Sequence, residues 1–400
     1  MTFKAKSIEA IVRIIDEVMF HELNIDKQFE NLFKTDSYIS EQEKGFIVSR
    51  VNVIIRNWRY LSEIQSRSGL KTNILNEVTG ISLMLDGFDL PPWKIFQSFN
   101  RKRIIQAIND LKDNNAITLS VPDWLKEELV GELGEQWISI ISAFNTEAPI
   151  VLRVNTIKIS RDQLQKIFLQ RGIETVVHDM ASDALIIVKP TNVFKFPEFK
   201  AGYFEMQDIG SQLISQFANP KLGMRIIDAC AGNGGKTLHL ASLMQNRGRC
   251  IAMDVSEYKL DTLKQRCKRA GVANIETKVI DTTKVIKRLH GTGDIVLLDV
   301  PCSGLGVLKR NPEIKWRLTL EKLNNLRKTQ AEILDRYSLM VKVGGSIVYS
   351  TCSILPSENQ KQIKDFISRK PGQFELLEEK TISPIDGFDG FYMAQIKRLI

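Results

Sequence analysis

The 400-residue sequence predicts an α/β protein with an N-terminal helical domain, a small α+β unit and a C-terminal domain built on a mainly parallel sheet. Up to about residue 140, apolar side chains recur at helical spacing almost throughout. The period changes near Pro149, where short apolar strands surround a single helix. From residue 224 onward, strands and helices alternate strictly, which indicates βα units. We therefore expect domains over 1–140, 145–215 and 216–400.

The helical domain is expected to carry a basic face. Residues 43–64 repeat apolar side chains three and four positions apart and place Arg50, Arg56 and Arg59 on the polar side. The chain has 55 Lys and Arg against 47 Asp and Glu, a net charge of +8. This excess favours a polyanionic partner such as nucleic acid, although a mildly basic protein without such a partner has the same balance.

Composition argues against several classes of protein. No apolar run approaches the length of a membrane span, and acids interrupt the N-terminal stretch MTFKAKSIEAIVRIIDEVMF, which predicts a helix rather than a signal peptide. We therefore expect a cytoplasmic protein without a membrane partner. The five cysteines are odd in number and form no CxxC pair, which argues against a disulfide framework and against a zinc site. No metal is expected.

The order of apolar segments predicts the remaining elements. In the α+β unit, strands are expected at 151–159, 173–177, 184–189 and 203–207, with a helix over 160–172. In the C-terminal domain, strands are expected at 224–230, 250–254, 275–280, 294–299 and 345–351, with a long helix near 319–342. The sequence therefore predicts one sheet, and the loops that follow its parallel strands are expected at the same edge.

The stretch IIDACAGNGGKT, residues 226–237, ends in Gly235-Lys236-Thr237 like a loop that binds nucleoside triphosphates. Such a loop needs glycine at the position that Cys230 occupies, so the triphosphate interpretation lacks its turn residue. What remains is a strand ending in Asp228, a glycine-rich loop and a helix whose first turn offers unpaired N–H groups. Dinucleotide sites and methyl-donor sites both use this arrangement.

Carboxylates follow the next strands of the predicted sheet. Asp254 ends the second strand at the spacing at which an acid accepts hydrogen bonds from ribose, although it is equally suited to cap the following helix. Asp281 follows the third strand and Asp299 closes the fourth. Ligands of open α/β sheets bind at this edge. An acidic rim suits a cationic sulfonium better than a pyrophosphate, which favours S-adenosylmethionine over NAD.

Two cysteines follow strands at the same edge. DVPCSG places Cys302 just after Asp299, and YSTCS places Cys352 at the end of the next strand. A lone cysteine is usually a small buried hydrophobe, and we keep that interpretation for Cys250 and Cys267. Two thiols on equivalent loops beside a methyl-donor site instead predict a chemical function.

These segments resemble the ordered motifs of the RNA 5-methylcytosine methyltransferases of the Sun/Nop2/NSUN group. The resembling motifs are Cys230 to Thr237, Asp254, Asp281, Asp299 to Gly304 and Ser350 to Ser353. VPDWLKEELVGELGE, LRVNTIK, MQDIGSQL, NPEIKW and DGFDGFYMAQIKR further resemble the bacterial, RsmB-like members. The resemblance covers about residue 121 to the end, and the helical content before it resembles their NusB-like extension. One departure is that family members usually carry alanine and proline where this chain has Gly232 and Asn233.

The resemblance implies a Rossmann-like class I methyltransferase domain, preceded by an RRM-like α+β domain that binds RNA. It implies an S-adenosylmethionine pocket lined by Cys230, Ala231, Gly232, Asn233, Gly234, Gly235, Lys236, Asp254, Asp281 and Asp299. It also implies that Cys352 is the nucleophile and that Cys302 aids product release. Asp299 is the natural candidate to stabilise charge on the cytosine ring.

The expected reaction is methylation of carbon 5 of a cytosine in RNA, through a covalent cysteine adduct. The target base must leave its stack, and Lys309, Arg310, Lys315 and Arg317 could contact the neighbouring phosphates or form an ordinary solvated loop. The helical extension favours 16S ribosomal RNA over transfer RNA. A non-catalytic RNA-binding ribosome assembly factor is the alternative from another class. We expect a monomer because the chain carries its own RNA-holding domains.

Overall fold

The computed structural model describes residues 4–36 and 39–400. Over these residues the chain divides into two compact units. One comprises Met1–Thr146 and Leu308–Leu320, and the other comprises Glu147–Val307 and Glu321–Ile400. Residues 1–3 and 37–38 of the expected helical domain lie outside the described residues. Within the part of the chain that is described, no helix has the length and apolar character needed to cross a membrane.

The first unit is helical, as the sequence predicts. A capping box between Ser40 and Glu43 starts its third helix, which contributes Ile47 and Ile54 to an isoleucine-rich core. Asn57 ends that helix, so the continuous helical segment expected over 43–64 is two helices. The helices up to Thr146 are α1 (Ala5–Met19), α2 (Ile25–Thr35), α3 (Glu41–Arg56), α4 (Trp58–Arg67), α5 (Ile74–Leu85), α6 (Arg101–Leu111), α7 (Asn115–Thr118), α8 (Asp123–Leu133) and α9 (Gln136–Phe144).

The expected basic face of α3 is wrong for Arg50 and Arg56, which are both buried. Helix α3 packs against α1 and α5, so its polar side meets protein rather than solvent. Arg50 forms a 2.6 Å ion pair with Asp86 and donates to the carbonyl oxygen of Ser82. Arg56 donates a 2.8 Å hydrogen bond to the carbonyl oxygen of Lys309. These guanidinium groups hold the helical unit together.

The α+β part of the second unit confirms the small sheet that the sequence predicts. Its strands are β1 (Ile150–Val154), β2 (Thr175–Val177), β3 (Ala184–Ile187) and β4 (Phe204–Met206), in the antiparallel order β2-β3-β1-β4. Its helices are α10 (Arg161–Gln170), α11 (Pro197–Lys200) and α12 (Ile209–Phe217). Leu152, Phe168 and Phe204 are fully buried in a core between the sheet and α10.

The rest of the second unit forms, within the described residues, a seven-stranded sheet in the order β10-β11-β9-β8-β5-β6-β7. The five strands from β9 to β7 are parallel, and β11 alone runs against its neighbours. The strands are β5 (Arg225–Asp228), β6 (Arg249–Asp254), β7 (Ile275–Val279), β8 (Gly293–Asp299), β9 (Val341–Thr351), β10 (Phe374–Ile382) and β11 (Phe391–Arg398). Its helices are α13 (Gly235–Leu243), α14 (Glu257–Ala270), α15 (Thr283–Lys287), α17 (Leu320–Tyr337) and α18 (Gln360–Arg369), and α16 (Ile314–Arg317) lies between α15 and α17 in the chain but in the first unit. This doubly wound sheet confirms the predicted Rossmann-like fold.

Helix α16 and its flanks belong to the helical unit, not to the sheet. Lys315 donates a 2.7 Å hydrogen bond to the carbonyl oxygen of Arg56, and the Trp316 indole donates one of 2.7 Å to that of Ile55. Arg317 donates to the carbonyl oxygens of Val18 and Leu23. Burial, with Arg56 nearby, lowers the pKa of Lys315 to about 7. The expected phosphate-contacting loop is therefore wrong for Lys309 and Lys315, which are buried because this segment packs into a helical core.

Candidate active site

The parallel strands of the large sheet end along one edge, and a cavity of about 430 Å³ lies there. Residues that directly follow or end β5, β6, β7 and β8 line one side of the cavity, and α17 lines the other. The lining residues are Ala229, Cys230, Gly232, Asp254, Val255, Lys259, Ile280, Asp299, Pro301, Thr329, Glu332, Ile333, Arg336 and Tyr337. The carboxyl edge of an open α/β sheet is where such folds bind ligands, and the volume suits a small molecule.

The glycine-rich loop between β5 and α13 depends on two positive backbone angles. Gly232 has φ of +53° and Gly234, the N-cap of α13, has φ of +80°. A side chain at Gly234 would also collide, because its Cβ would lie 2.1 Å from Cδ1 of Leu263. Glycine is the residue that adopts this conformation without strain. The loop backbone therefore closely approaches helix α14 on one side and lines the cavity at Gly232 on the other.

Asp254 joins the glycine-rich loop to the residue before α14, and Ser256 rather than Asp254 is the N-cap of that helix. Its Oδ2 accepts a 2.9 Å hydrogen bond from the backbone N–H of Gly232, and its Oδ1 accepts one of 2.9 Å from the N–H of Ser256 at the start of α14. The carboxyl group is nearly buried and lines the cavity. It thus ties the glycine-rich loop to the end of β6 at the position where a ribose is expected.

Lys236 and Asp299 form an ion pair at the same edge. The Nζ atom of Lys236 lies 2.7 Å from Oδ2 of Asp299, while the Ser350 hydroxyl donates a 3.0 Å hydrogen bond to Oδ1. Burial alone would lower the pKa of Lys236, but the adjacent Asp299 carboxylate holds that pKa above its ordinary value. Asp299 is therefore fixed in one orientation between β8 and β9.

Cys302 and Cys352 meet at the ends of these two strands. Their Sγ atoms lie 3.3 Å apart, although the residues are 50 positions apart in sequence. The hydrogen bond with Cys352, together with burial, raises the pKa of Cys302 well above its ordinary value. Cys302 therefore holds its proton more tightly than an ordinary cysteine does. This asymmetry favours Cys352 as the more nucleophilic sulfur.

The structure places the expected cofactor residues in three positions. Cys230, Gly232, Asp254 and Asp299 line the cavity. The same loop and the first turn of α13 contain the next five, which are Ala231, Asn233, Gly234, Gly235 and Lys236. Asp281 is exposed and follows β7 by two residues, while its neighbour Ile280 lines the cavity. The residues expected at the cofactor thus gather at one edge, with Asp281 outside the lining.

Sequence analysis missed the α17 side of the cavity. Five residues of α17 line the cavity, and their spacings of three, one, three and one place them on one helix face. They are Thr329, Glu332, Ile333, Arg336 and Tyr337. That helical spacing was readable in the sequence, but it resembles any amphipathic stripe. Val255 and Ile280 add apolar walls directly after β6 and β7, where residues following a strand end would be expected to face a ligand.

Comparison with known proteins adds to this geometry. The family model "16S rRNA methyltransferase RsmB/F" matches residues 215–397, and the ferredoxin-like domain model of the same family matches residues 121–194. Ribosomal RNA small subunit methyltransferase B of Vibrio vulnificus is 35% identical over 306 residues, which cover 74% of this chain and 71% of the relative. The chain belongs to the RsmB/F family. The family of enzymes expected from the sequence is thereby confirmed.

One more relative and two solved structures are also similar to this chain. The methyltransferase B of Yersinia enterocolitica is 32% identical over 312 residues, which cover 76% of this chain and 71% of the relative. A methyltransferase homolog from Pyrococcus horikoshii matches with a TM-score of 0.64 at 26% identity, covering 72% of this chain and 98% of its own. NSun6 from Pyrococcus horikoshii with SFG matches with a TM-score of 0.64 at 21% identity, covering 70% and 98%, which shows the shared fold.

Proposed function

We propose that the protein transfers a methyl group from S-adenosylmethionine to carbon 5 of a cytosine in 16S ribosomal RNA. The observation that carries this proposal is the 3.3 Å separation of the Cys302 and Cys352 sulfurs at the ends of two adjacent parallel strands. Asp299 and Pro301, which line the cavity, lead directly into Cys302. The thiol pair and the candidate cofactor cavity therefore share one loop.

The lining residues fit S-adenosylmethionine, which supplies an electrophilic methyl group on a sulfonium. Asp254 would accept hydrogen bonds from the ribose hydroxyls, and the exposed backbone of Gly232 leaves room for the methionine part. Val255 and Ile280 offer apolar surface for the adenine. Among the described residues, no group of His, Cys, Asp and Glu side chains is arranged to hold a metal ion.

Carbon 5 of cytosine needs activation before it accepts a methyl group. The Cys352 sulfur, as the thiolate after loss of its proton, would bond to carbon 6 and so make carbon 5 nucleophilic. Carbon 5 would then bond to the methyl carbon as the bond from that carbon to sulfur breaks, with S-adenosylhomocysteine as the leaving group. Asp299, held by Lys236 and Ser350, would accept a hydrogen bond from the cytosine amino group. Loss of the carbon 5 proton to a base then allows the bond between sulfur and carbon 6 to break. We assign assistance at this release step to Cys302.

The helical domain over 1–140 and the α+β domain over 145–215 would hold the RNA around the flipped cytosine. A 16S substrate would place the enzyme in the cytoplasm. We also propose that it works as a monomer. Transfer RNA is the alternative substrate, and a non-catalytic assembly factor is the alternative function. The intact pair of sulfurs argues against the latter, because an RNA-binding factor has no use for two adjacent thiols at a cofactor cavity.

Bisulfite sequencing of total RNA from cells with and without the gene tests the proposal. We expect one cytosine of 16S ribosomal RNA to lose its protection from deamination in the deletion strain. The purified protein should restore that protection on deproteinised 16S RNA or on assembling subunits. A position that changes in a transfer RNA would redirect the substrate, while unchanged protection everywhere and no transfer in vitro would favour the assembly factor.

A further inference from the structure

The two cysteine loops repeat one local arrangement. Each cysteine is followed by a serine, and each serine by a leucine two residues later, in CSGL at 302–305 and CSIL at 352–355. The Ser303 hydroxyl accepts the backbone N–H of Leu305 at 3.4 Å, and the Ser353 hydroxyl accepts that of Leu355 at 3.1 Å. Each hydroxyl oxygen thus accepts one bond from its own loop, and its O–H remains available to donate another.

Both serine hydroxyls point to a single carboxyl group, that of Glu358. Its Oε2 accepts a 2.5 Å hydrogen bond from the Ser303 hydroxyl and another from the Ser353 hydroxyl. Its Oε1 accepts the backbone N–H of Ser303 at 2.8 Å and the Gln330 amide at 2.9 Å. Glu358 is fully buried, so water does not compete for these bonds.

Further bonds fix Glu358 and Gln330 themselves. The Tyr349 hydroxyl donates a 2.6 Å hydrogen bond to the carbonyl oxygen of Glu358. Gln330, buried in α17, also donates to the carbonyl oxygen of Pro301. The carboxyl group is therefore attached to both cysteine loops and to the helix that lines the cofactor cavity. A buried polar network of this kind restricts the arrangement of the groups that it joins.

We propose that Glu358 is the positioning residue that sets the separation of the Cys302 and Cys352 sulfurs, acting through Ser303 and Ser353. The two loops also contact each other directly, because Ser303 Oγ lies 3.2 Å from Ser353 Oγ and the Gly306 N–H donates a 2.8 Å hydrogen bond to the carbonyl oxygen of Cys352. The carboxyl group adds a bracket to these contacts, since one of its oxygens accepts from both serine hydroxyls. Reacting groups must be held near attack geometry, and misplacement by about 1 Å can cost about 100-fold in rate.

The test measures thiol proximity separately from methyl transfer. Dibromobimane becomes fluorescent when both of its bromomethyl groups have alkylated thiols, with release of two bromide ions, and mass spectrometry locates the bridge. We expect rapid bridging of Cys302 and Cys352 in the wild-type protein and none of that bridge in Cys302→Ala. Glu358→Gln should slow the bridging about tenfold, and Ser303→Ala and Ser353→Ala should each slow it less.

Glu198→Gln is the matched control, because Glu198 is also a buried carboxylate of the same unit but pairs with Arg171, away from the cysteines. It should bridge at the wild-type rate. Retained affinity for S-adenosylmethionine shows that a variant is folded. If Glu358→Gln does not fold, the bridging rates of Ser303→Ala and Ser353→Ala test the proposal instead. Wild-type bridging in Glu358→Gln, or in both serine variants, would overturn the proposal.

The kinetic arm rests on the proposed function. Single-turnover methylation by Glu358→Gln should fall about 10-fold to 100-fold, while the KM for S-adenosylmethionine changes little, because the carboxyl group does not line the cavity. A lower rate together with a higher KM for S-adenosylmethionine would indicate general damage to the fold and count against a positioning role. Should the wild-type protein methylate no RNA at all, the proposed function fails while the bridging experiment still decides the role of Glu358.

Discussion

The guanidinium group of Arg266 donates a 2.7 Å hydrogen bond to the carbonyl oxygen of Asn233. The same group also donates to Glu205, a buried residue of β4 in the small sheet. A second guanidinium group, that of Arg153 in β1, donates a 2.5 Å hydrogen bond to the carbonyl oxygen of Gly235. The glycine-rich loop is therefore held from outside by two arginines, at the place where family members usually have the stiffer alanine and proline.

Arg266→Lys should weaken binding of S-adenosylmethionine about 3-fold to 30-fold, because lysine keeps the charge but cannot bridge Glu205 and Asn233 at once. Calorimetric titration measures the affinity. Arg249→Lys is the matched control, since Arg249 pairs with Glu276 at an exposed position on β6. Equal affinities for wild type and Arg266→Lys would show that the loop keeps its shape without this bridge.

Cys352→Ala should abolish methyl transfer, by at least about 1,000-fold, since it removes the sulfur that we propose bonds to carbon 6 of the cytosine. Transfer of labelled methyl groups to 16S ribosomal RNA measures the rate, and binding of S-adenosylmethionine should be unchanged. Cys267→Ala serves as the control because Cys267 lies on α14 and not at the thiol pair. Substantial turnover by Cys352→Ala would remove this residue as the nucleophile.

Cys302→Ala should instead allow the adduct to form and slow its release. A covalent complex of protein and RNA should then persist through denaturing electrophoresis, and it should require both S-adenosylmethionine and Cys352. The double variant Cys302→Ala and Cys352→Ala is the control that should show no complex. Normal turnover of Cys302→Ala without any trapped complex would leave that cysteine with a structural role only.

The stability of the fold should depend on pH through Asp228. Burial, opposed by a 2.6 Å hydrogen bond from the Thr237 hydroxyl, raises the pKa of this carboxyl group to about 7. The folded state then keeps a proton that the unfolded chain loses near its ordinary pKa of 3.8, so stability falls as pH rises between these values and levels off above about 7.

Asp228→Asn removes this titration. The variant should therefore gain stability relative to wild type by up to about 1.4 kcal/mol for each pH unit between pH 5 and about 7. Denaturant titrations at pH 5, 6, 7 and 8, without S-adenosylmethionine, measure the difference. A difference that stays constant across this range would mean that Asp228 is ionised throughout in the folded protein.

The fold and most of the site were accessible from sequence because both follow from strand ends. Alternating segments define the parallel strands, and the chemistry of the first residues after each strand is then brought to one edge. Asp254, Asp299, Cys302 and Cys352 were found in this way, and the structure places the two sulfurs in contact. The reaction itself was predicted from the resemblance of the ordered motifs to those of a known family.

Other features could not be predicted because they depend on what a residue meets in three dimensions. Helical spacing identified Arg50 and Arg56 as polar, but only tertiary packing shows that neighbouring helices cover them. Glu358 gave no signal at all, since it stands in a short polar run and its partners are Ser303, 55 residues away, and Gln330, 28 residues away. Long-range polar networks leave no periodic trace in a sequence.

Residues 308–320 leave the second compact unit and return to it, having completed the core of the first. The helical unit is consequently discontinuous in the gene. A fragment ending at residue 146 would lack the indole of Trp316 and the ammonium group of Lys315 that bond to the end of α3. A fragment beginning at residue 147 would carry residues 308–320 without the helices that they pack against. A continuous coding segment therefore cannot contain the whole helical unit without also containing most of the second unit.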